Sequence, residues 1–153
     1  MVMLAFLQNA WFRVGTDERH IRLYRENQEF HRRVLALSAT GRALKKMLGP
    51  LYDEIVWDNA SQEHGWVREH VSPPDPHYIA RRVAEIKPDV VLLFGRQAEI
   101  GWDRMAELTN LYSFPDYCVQ VLRAPHPMAR GSAEHLKKIA LRVKLLYARD
   151  EVD

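Results

Sequence analysis

The chain has little cysteine, no excess of one charge and no long apolar run, and each shortage excludes something. A single cysteine, Cys118, among 153 residues rules out an internal disulfide, a cysteine-rich zinc site and a four-cysteine iron–sulfur cluster, and it agrees with a reducing compartment. The 22 basic and 20 acidic side chains leave a net charge of +2, so a nucleic-acid surface would have to be gathered locally on one face. No apolar run approaches the ~18 residues a membrane span needs. The apolar opening, Met1 to Leu7, is short and lacks the basic residues of a signal peptide. An intracellular, cytoplasmic protein is therefore expected, with no membrane partner. His64 and His70 lack a third ligand, so no metal is expected.

What is present is an ordinary globular composition, 47% apolar and 27% charged, which excludes disorder and coiled-coil arrays for the whole chain. The length suits one domain, 1–153, able to bury about two-thirds of its unfolded surface without a staple.

Val2 to Leu7 is a continuous apolar run, the mark of a strand buried on both faces. Residues 17–37 predict helix with a break near Gln28, and with Ile21, Tyr24, Val34 and Leu37 inward. Ser38-Ala39-Thr40-Gly41 predicts a turn, followed by a short helix from Arg42 to Leu48 that Gly49-Pro50 ends. Residues 54–57 predict a second strand, and 62–75 an exposed loop. Asp75-Pro76 opens a helix that runs to about Ile86. Val90 to Phe94 is the clearest buried strand, with helix following over about 97–108. Tyr117 to Leu122 predicts the fourth strand, Arg123 to Pro127 a stiff non-helical link, and Ser132 the cap of a last helix with Ala133, Leu136, Ala140, Val143 and Tyr147 inward.

Buried strands alternating with helices predict an α/β fold: three layers, α/β/α, around a four-stranded, mostly parallel sheet. Ligands of such sheets bind outside the carboxyl ends of the strands. Four segments are expected at that edge: Gln8–Phe12, Asp58–Ser61, Gly95–Gln97 and Ala124–Gly131. Together they carry amides (Gln8, Asn9, Asn59), an imidazole (His126) and two large rings (Trp11, Phe12). That set suits a flat heteroaromatic ligand. Rings stack on it, carboxamides pair with its O/N–H edge, and the imidazole stabilises developing negative charge. Taken singly, Asn9 serves equally as a turn residue, Asn59 as a helix cap, and Trp11 and Phe12 as packing aromatics.

In order and spacing, these pieces resemble the uracil-DNA glycosylase superfamily. Leu7-Gln8-Asn9-Ala10-Trp11-Phe12 sits where that superfamily has Gly-Gln-Asp-Pro-Tyr-His, or Gly-Ile-Asn-Pro-Gly in its mismatch-specific branch, which is the nearer match. Thr40-Gly41-Arg42-Ala43-Leu44 is similar to the small-residue turn and helix that follow. Ile55-Val56-Trp57-Asp58-Asn59-Ala60 resembles the strand ending in a base-reading asparagine. Lys87-Pro88-Asp89-Val90-Val91-Leu92-Leu93-Phe94-Gly95 resembles the Pro-x-hydrophobic strand ending in glycine. Ala124-Pro125-His126-Pro127 resembles the His-Pro-Ser motif. The chain departs from the pattern at Leu7 (glycine), Ala10 (proline) and Met128 (serine).

The resemblance implies that Asn9 positions the attacking water and His126 stabilises charge on the leaving base. It implies that Gln8 contributes main-chain contacts, Trp11 screens the C5 side of the base, and Asn59 pairs with its O4/N3 edge. Met128 and Arg130 would lie on the loop that enters DNA. The implied activity is cofactor-free hydrolysis of the N-glycosidic bond of uracil or a related or modified pyrimidine after base flipping, by a monomer acting on single- or double-stranded DNA. The alternative it implies is a catalytically weak or inactive member that binds DNA or a nucleobase or nucleotide. A small nucleotide-handling enzyme on the same kind of fold is a third possibility, because fold does not fix function.

Overall fold

A computed structural model describes residues 1–66, 70–109 and 119–152. Four strands, β1 (Met3–Leu7), β2 (Ile55–Asn59), β3 (Val90–Phe94) and β4 (Gln120–Ala124), form one sheet in the order β2-β1-β3-β4. Every pairing is parallel. β1 is central, with Met3 beside both Ile55 and Val90.

Both faces of the sheet are covered, which is why the inner strands are apolar throughout rather than alternating. Met3, Ala5, Leu7, Trp57, Leu92 and Phe94 pack with residues of α2 (Gln28–Leu37), α3 (Ala39–Leu48) and α6 (Ala133–Val152). Leu4, Phe6, Val91 and Leu93 pack with α4 (Pro76–Ile86) and α5 (Arg96–Thr109). The expected three-layer α/β/α architecture is thus observed. A smaller cluster of Phe12, Ile21 and Tyr24 lies apart from these two and seats α1 (Glu18–Glu26). From β1 the chain passes to β2 on one side of it, and from β2 it returns across β1 to β3 on the other. That reversal, with helices on opposite faces, places a crevice at the carboxyl edge beside β1.

Several boundaries differ from the sequence reading, each for a local reason. The break in the first helical stretch falls at Asn27. Its main-chain N–H closes α1 on Leu23, and its side chain accepts from Phe30 N–H to open α2. Ser38 to Gly41 is not a turn. Ser38 is the N-cap of α3, its hydroxyl accepting from Gly41 N–H, and helix begins at Ala39. Gly41 fits there because a Cβ would lie 1.7 Å from the Leu35 carbonyl oxygen. Leu37 is exposed rather than inward, and His31 and Leu35 take the buried positions on α2. A 3-10 turn over Gly49–Glu54 leads into β2, which starts one residue later than expected and extends through Asp58 and Asn59. Asp75 caps α4 as expected, accepting from Tyr78 N–H. β4 reaches Ala124, and the expected start of that strand at Tyr117 and Cys118 lies outside the described residues. On α6, Leu136, Ala140 and Val143 are buried, Tyr147 is half-buried and Ala133 is exposed. Among the described residues, no helix is long and apolar enough to cross a membrane.

Candidate functional site

Beyond the end of β1 the main chain keeps pairing with the segment after β2. Ala60 N–H donates to Leu7, Ser61 N–H to Gln8, Gly65 N–H to Ala10 and Phe12 N–H to Gly65. This irregular ladder holds Gln8 to Phe12 at the sheet edge. A crevice of about 250 Å³ opens above it. Six of the seven site residues expected from sequence line it: Gln8, Asn9, Trp11, Asn59, His126 and Met128. The seventh, Arg130, is exposed on the following loop and is not part of the lining. Leu7, bulkier than the glycine of the motif, also lines the crevice, but it is buried in the core cluster with Leu35 and Leu44 and leaves the space open.

His126 stands between Pro125 and Pro127, and the two rings stiffen its backbone. It lies over the end of β3, where Gly95 adopts φ +94°. A Cβ at Gly95 would come within 3.2 Å of the His126 Cβ, so the glycine is what permits the close approach. His126 Nδ1 accepts from Met128 N–H at 3.1 Å, and burial lowers the pKa of the imidazole. At neutral pH the ring is therefore neutral, with its proton on Nε2, a donor suited to developing negative charge.

Asn9 is more constrained than its sequence position suggests. Its Nδ2 donates to the carbonyls of Ala10 (3.0 Å) and His70 (3.2 Å), and its Oδ1 accepts from Ser72 N–H at 3.3 Å. The carboxamide ties the 70–72 segment to the end of β1 and retains one Oδ1 lone pair. Trp11 is 44% exposed at the rim, while Phe12 is buried against Tyr24 and His64.

Asn59 is 7% exposed at the carboxyl end of β2. Its Nδ2 donates to the Tyr24 hydroxyl at 3.3 Å, which in turn lies 3.2 Å from His31 Nε2. Its neighbour Asp58, the edge carboxylate, points elsewhere. It pairs with Arg82 Nε at 2.6 Å and accepts from the Tyr78 hydroxyl at 2.7 Å. Burial raises the pKa of the Asp58 carboxyl, and the Tyr78 and Arg82 contacts oppose that push. Asp58 thus anchors α4 and does not reach the crevice lining. Among the described residues no carboxylate lines the crevice.

Sequence reading missed six contributors to the lining, the apolar Val34 and Leu35 and the polar Tyr24, Ser38, Thr40 and His70. Tyr24 was legible only as an inward residue of a helix. Ser38 and Thr40 sit where α2 meets α3, and His70 belongs to a loop with no periodicity to place it. His64 and His70 do not act as a pair, since His64 Nδ1 meets the Arg25 guanidinium at 2.6 Å. Among the described residues, no group of three or more His, Cys, Asp or Glu is placed to hold a metal ion.

A slot with a neutral imidazole donor, an oriented carboxamide and an aromatic rim is equipped to hold a flat polar ring and to stabilise negative charge on it. No protein-family model matches the chain, and no curated protein matches it at a significant level.

Proposed function

We propose that the chain is a DNA glycosylase of the uracil-DNA glycosylase type, hydrolysing the N-glycosidic bond of uracil or a related pyrimidine after the nucleotide is flipped from the strand. The observation that carries this reading is the convergence of Asn9, Asn59 and His126, from three distant stretches of chain, on one crevice. In this reading a flipped base enters beside Trp11, pairs with Asn59 and receives the His126 Nε2–H on its O2. Extrusion costs a few kcal/mol, offset by stacking and by these hydrogen bonds. As the bond breaks, positive charge grows on the sugar and negative charge on the base. An imidazole N–H in a partly desolvated slot stabilises the latter. Asn9 uses its remaining Oδ1 lone pair to hold a water on the sugar side.

The test is a uracil-containing oligonucleotide, single- and double-stranded, incubated with the protein and then treated with alkali. Strand breaks are expected with the wild type and not with His126→Ala. Intact strands with every uracil substrate count against an enzyme of this type.

A second reading is a member that binds a base or DNA without cutting it. It is favoured by the three bonds that commit the Asn9 carboxamide to neighbouring main chain, and by the lack of a carboxylate among the described lining residues. Salt-dependent binding without strand breaks is its signature.

A further inference from the structure

Beside the crevice lies a group of side chains that the proposed chemistry does not use. A polar cleft of about 40 Å³ shares Ala10, Tyr24 and Asn59 with the crevice and reaches Arg25 and His64 beyond them. The Arg25 guanidinium is exposed yet held in place. Its Nη2 donates to the Gln62 carbonyl at 3.0 Å and to His64 Nδ1 at 2.6 Å. A guanidinium can only donate, so His64 Nδ1 is the acceptor and the ring proton sits on Nε2. Burial and the Arg25 charge lower the pKa of His64, which keeps the ring in that neutral form at neutral pH. Among the described residues no carboxylate pairs with Arg25.

His64 in turn seats two aromatic rings. Its ring meets those of Phe12 at 5.3 Å and Trp66 at 4.8 Å between centroids, both edge-on. Phe12 is buried and ties the group to the fold, whereas Trp66 is 45% exposed. The main chain beside Trp66 is fixed as well. Gly65 pairs with Trp11 at the crevice rim, and a Cβ on it would lie 2.7 Å from the His70 Cβ. A fixed indole nearly half open to solvent, next to a fixed cation without an anion, is the combination that binds single-stranded nucleic acid: the ring stacks a base and the cation meets the backbone.

We propose that Arg25 and Trp66 form a second subsite, which holds the nucleotide next to the flipped one in a single-stranded substrate, its base on Trp66 and a phosphate at Arg25. This rests on reading the crevice as the slot of the flipped base. In a duplex the neighbouring base stays paired and stacked, so it does not reach Trp66, and the subsite favours single strands. Stacking of this kind tolerates any base, because each has a π-face. Two carboxylates also line the cleft. Asp58 is paired with Arg82, and exposed Glu63 only weakens the attraction at Arg25.

The experiment measures binding of a single-stranded oligonucleotide that carries one 2′-fluoro-2′-deoxyuridine, in which the sugar fluorine suppresses base loss. The same strand with an abasic analogue at that position, and the uridine strand in duplex, are compared. Trp66→Ala is expected to weaken both single strands by roughly ten- to hundredfold and to leave the duplex unchanged, with Trp66→Phe retaining most of the affinity. Arg25→Gln is expected to reduce the slope of log affinity against log salt for the single strands by about 0.7. A Trp66→Ala variant that binds single strands like the wild type, or that loses as much on the duplex, overturns the subsite and leaves the crevice reading intact. A wild type that binds the uridine and abasic strands equally overturns the crevice reading, and the subsite's place beside a flipped base with it. Should Trp66→Ala fail to fold, a salt slope unchanged in Arg25→Gln overturns the subsite on its own.

Discussion

Acidification is the perturbation that His31 answers most directly. Desolvation, with help from the nearby Arg32 and Arg82 charges, lowers its pKa from 6.5 to about 4 in the folded protein. The unfolded chain takes up a proton at this residue near pH 6.5, and the folded protein does so only near pH 4. Between those values the unfolded state binds more protons, so stability is lost as the pH falls. Above pH 6.5 and below pH 4 this residue contributes no slope. At about 1.4 kcal/mol per pKa unit, the gap amounts to roughly 3 kcal/mol, a large share of the ~5–15 kcal/mol that holds a typical domain together. Asp58 acts in the opposite sense. Its raised carboxyl pKa makes the folded state take up a proton first, so its effect must be subtracted. His31→Phe does this by keeping a ring against Tyr24 and removing the titration. Urea unfolding followed by tryptophan fluorescence at pH 7.5, 6, 5 and 4 supplies both curves. The stability of the wild type relative to His31→Phe is expected to fall by roughly 3 kcal/mol across the series. A difference that is the same at every pH would refute the reasoning.

Other consequences are as specific. Gly95→Ala forces a side chain into φ +94° and against the His126 Cβ, so it should cost about 1–2 kcal/mol in urea unfolding and lower the proposed uracil excision as well. Asp58→Asn leaves the half-buried Arg82 guanidinium with only the exposed Glu85 carboxylate, and a loss of about 1–3 kcal/mol is expected by the same measurement. Asn9→Ala frees the segment it ties down, so the Ser72 amide should exchange with solvent markedly faster in hydrogen-exchange experiments. Leu92→Ala, at the centre of β3 and 1% exposed, should cost about 2–5 kcal/mol without altering the crevice.

The layers of the fold were legible because β1 and β3 are apolar throughout, and only a sheet covered on both faces requires that of five-residue strands. Asp75-Pro76 and Gly49-Pro50 marked helix ends through backbone chemistry that acts within a few residues. Ser38 misled, because serine suits a turn and a helix cap equally, and the choice was made by Gly41 packing on the Leu35 carbonyl. The candidate site was legible where strand ends carry it, at Asn9, Asn59 and His126. The ring pair behind Asn59 was not, because Tyr24 and His31 lie on two helices separated by a break, and only tertiary packing brings their rings together. Nor was the fate of the two carboxyl-edge polar groups, Asp58 drawn to Arg82 and Asn9 to the 70–72 main chain, since both partners lie far along the sequence.

In the proposed function, one unstacked pyrimidine occupies the crevice between Asn59 and His126. Nuclear magnetic resonance titration with a short strand carrying a single non-cleavable uridine tests it directly, with the same strand lacking that base as the control. The Asn59 side-chain amide and the His126 ring are expected to shift together with the uridine strand and to stay in place with the control. Shifts confined to other surfaces, or equal with both strands, would contradict the account.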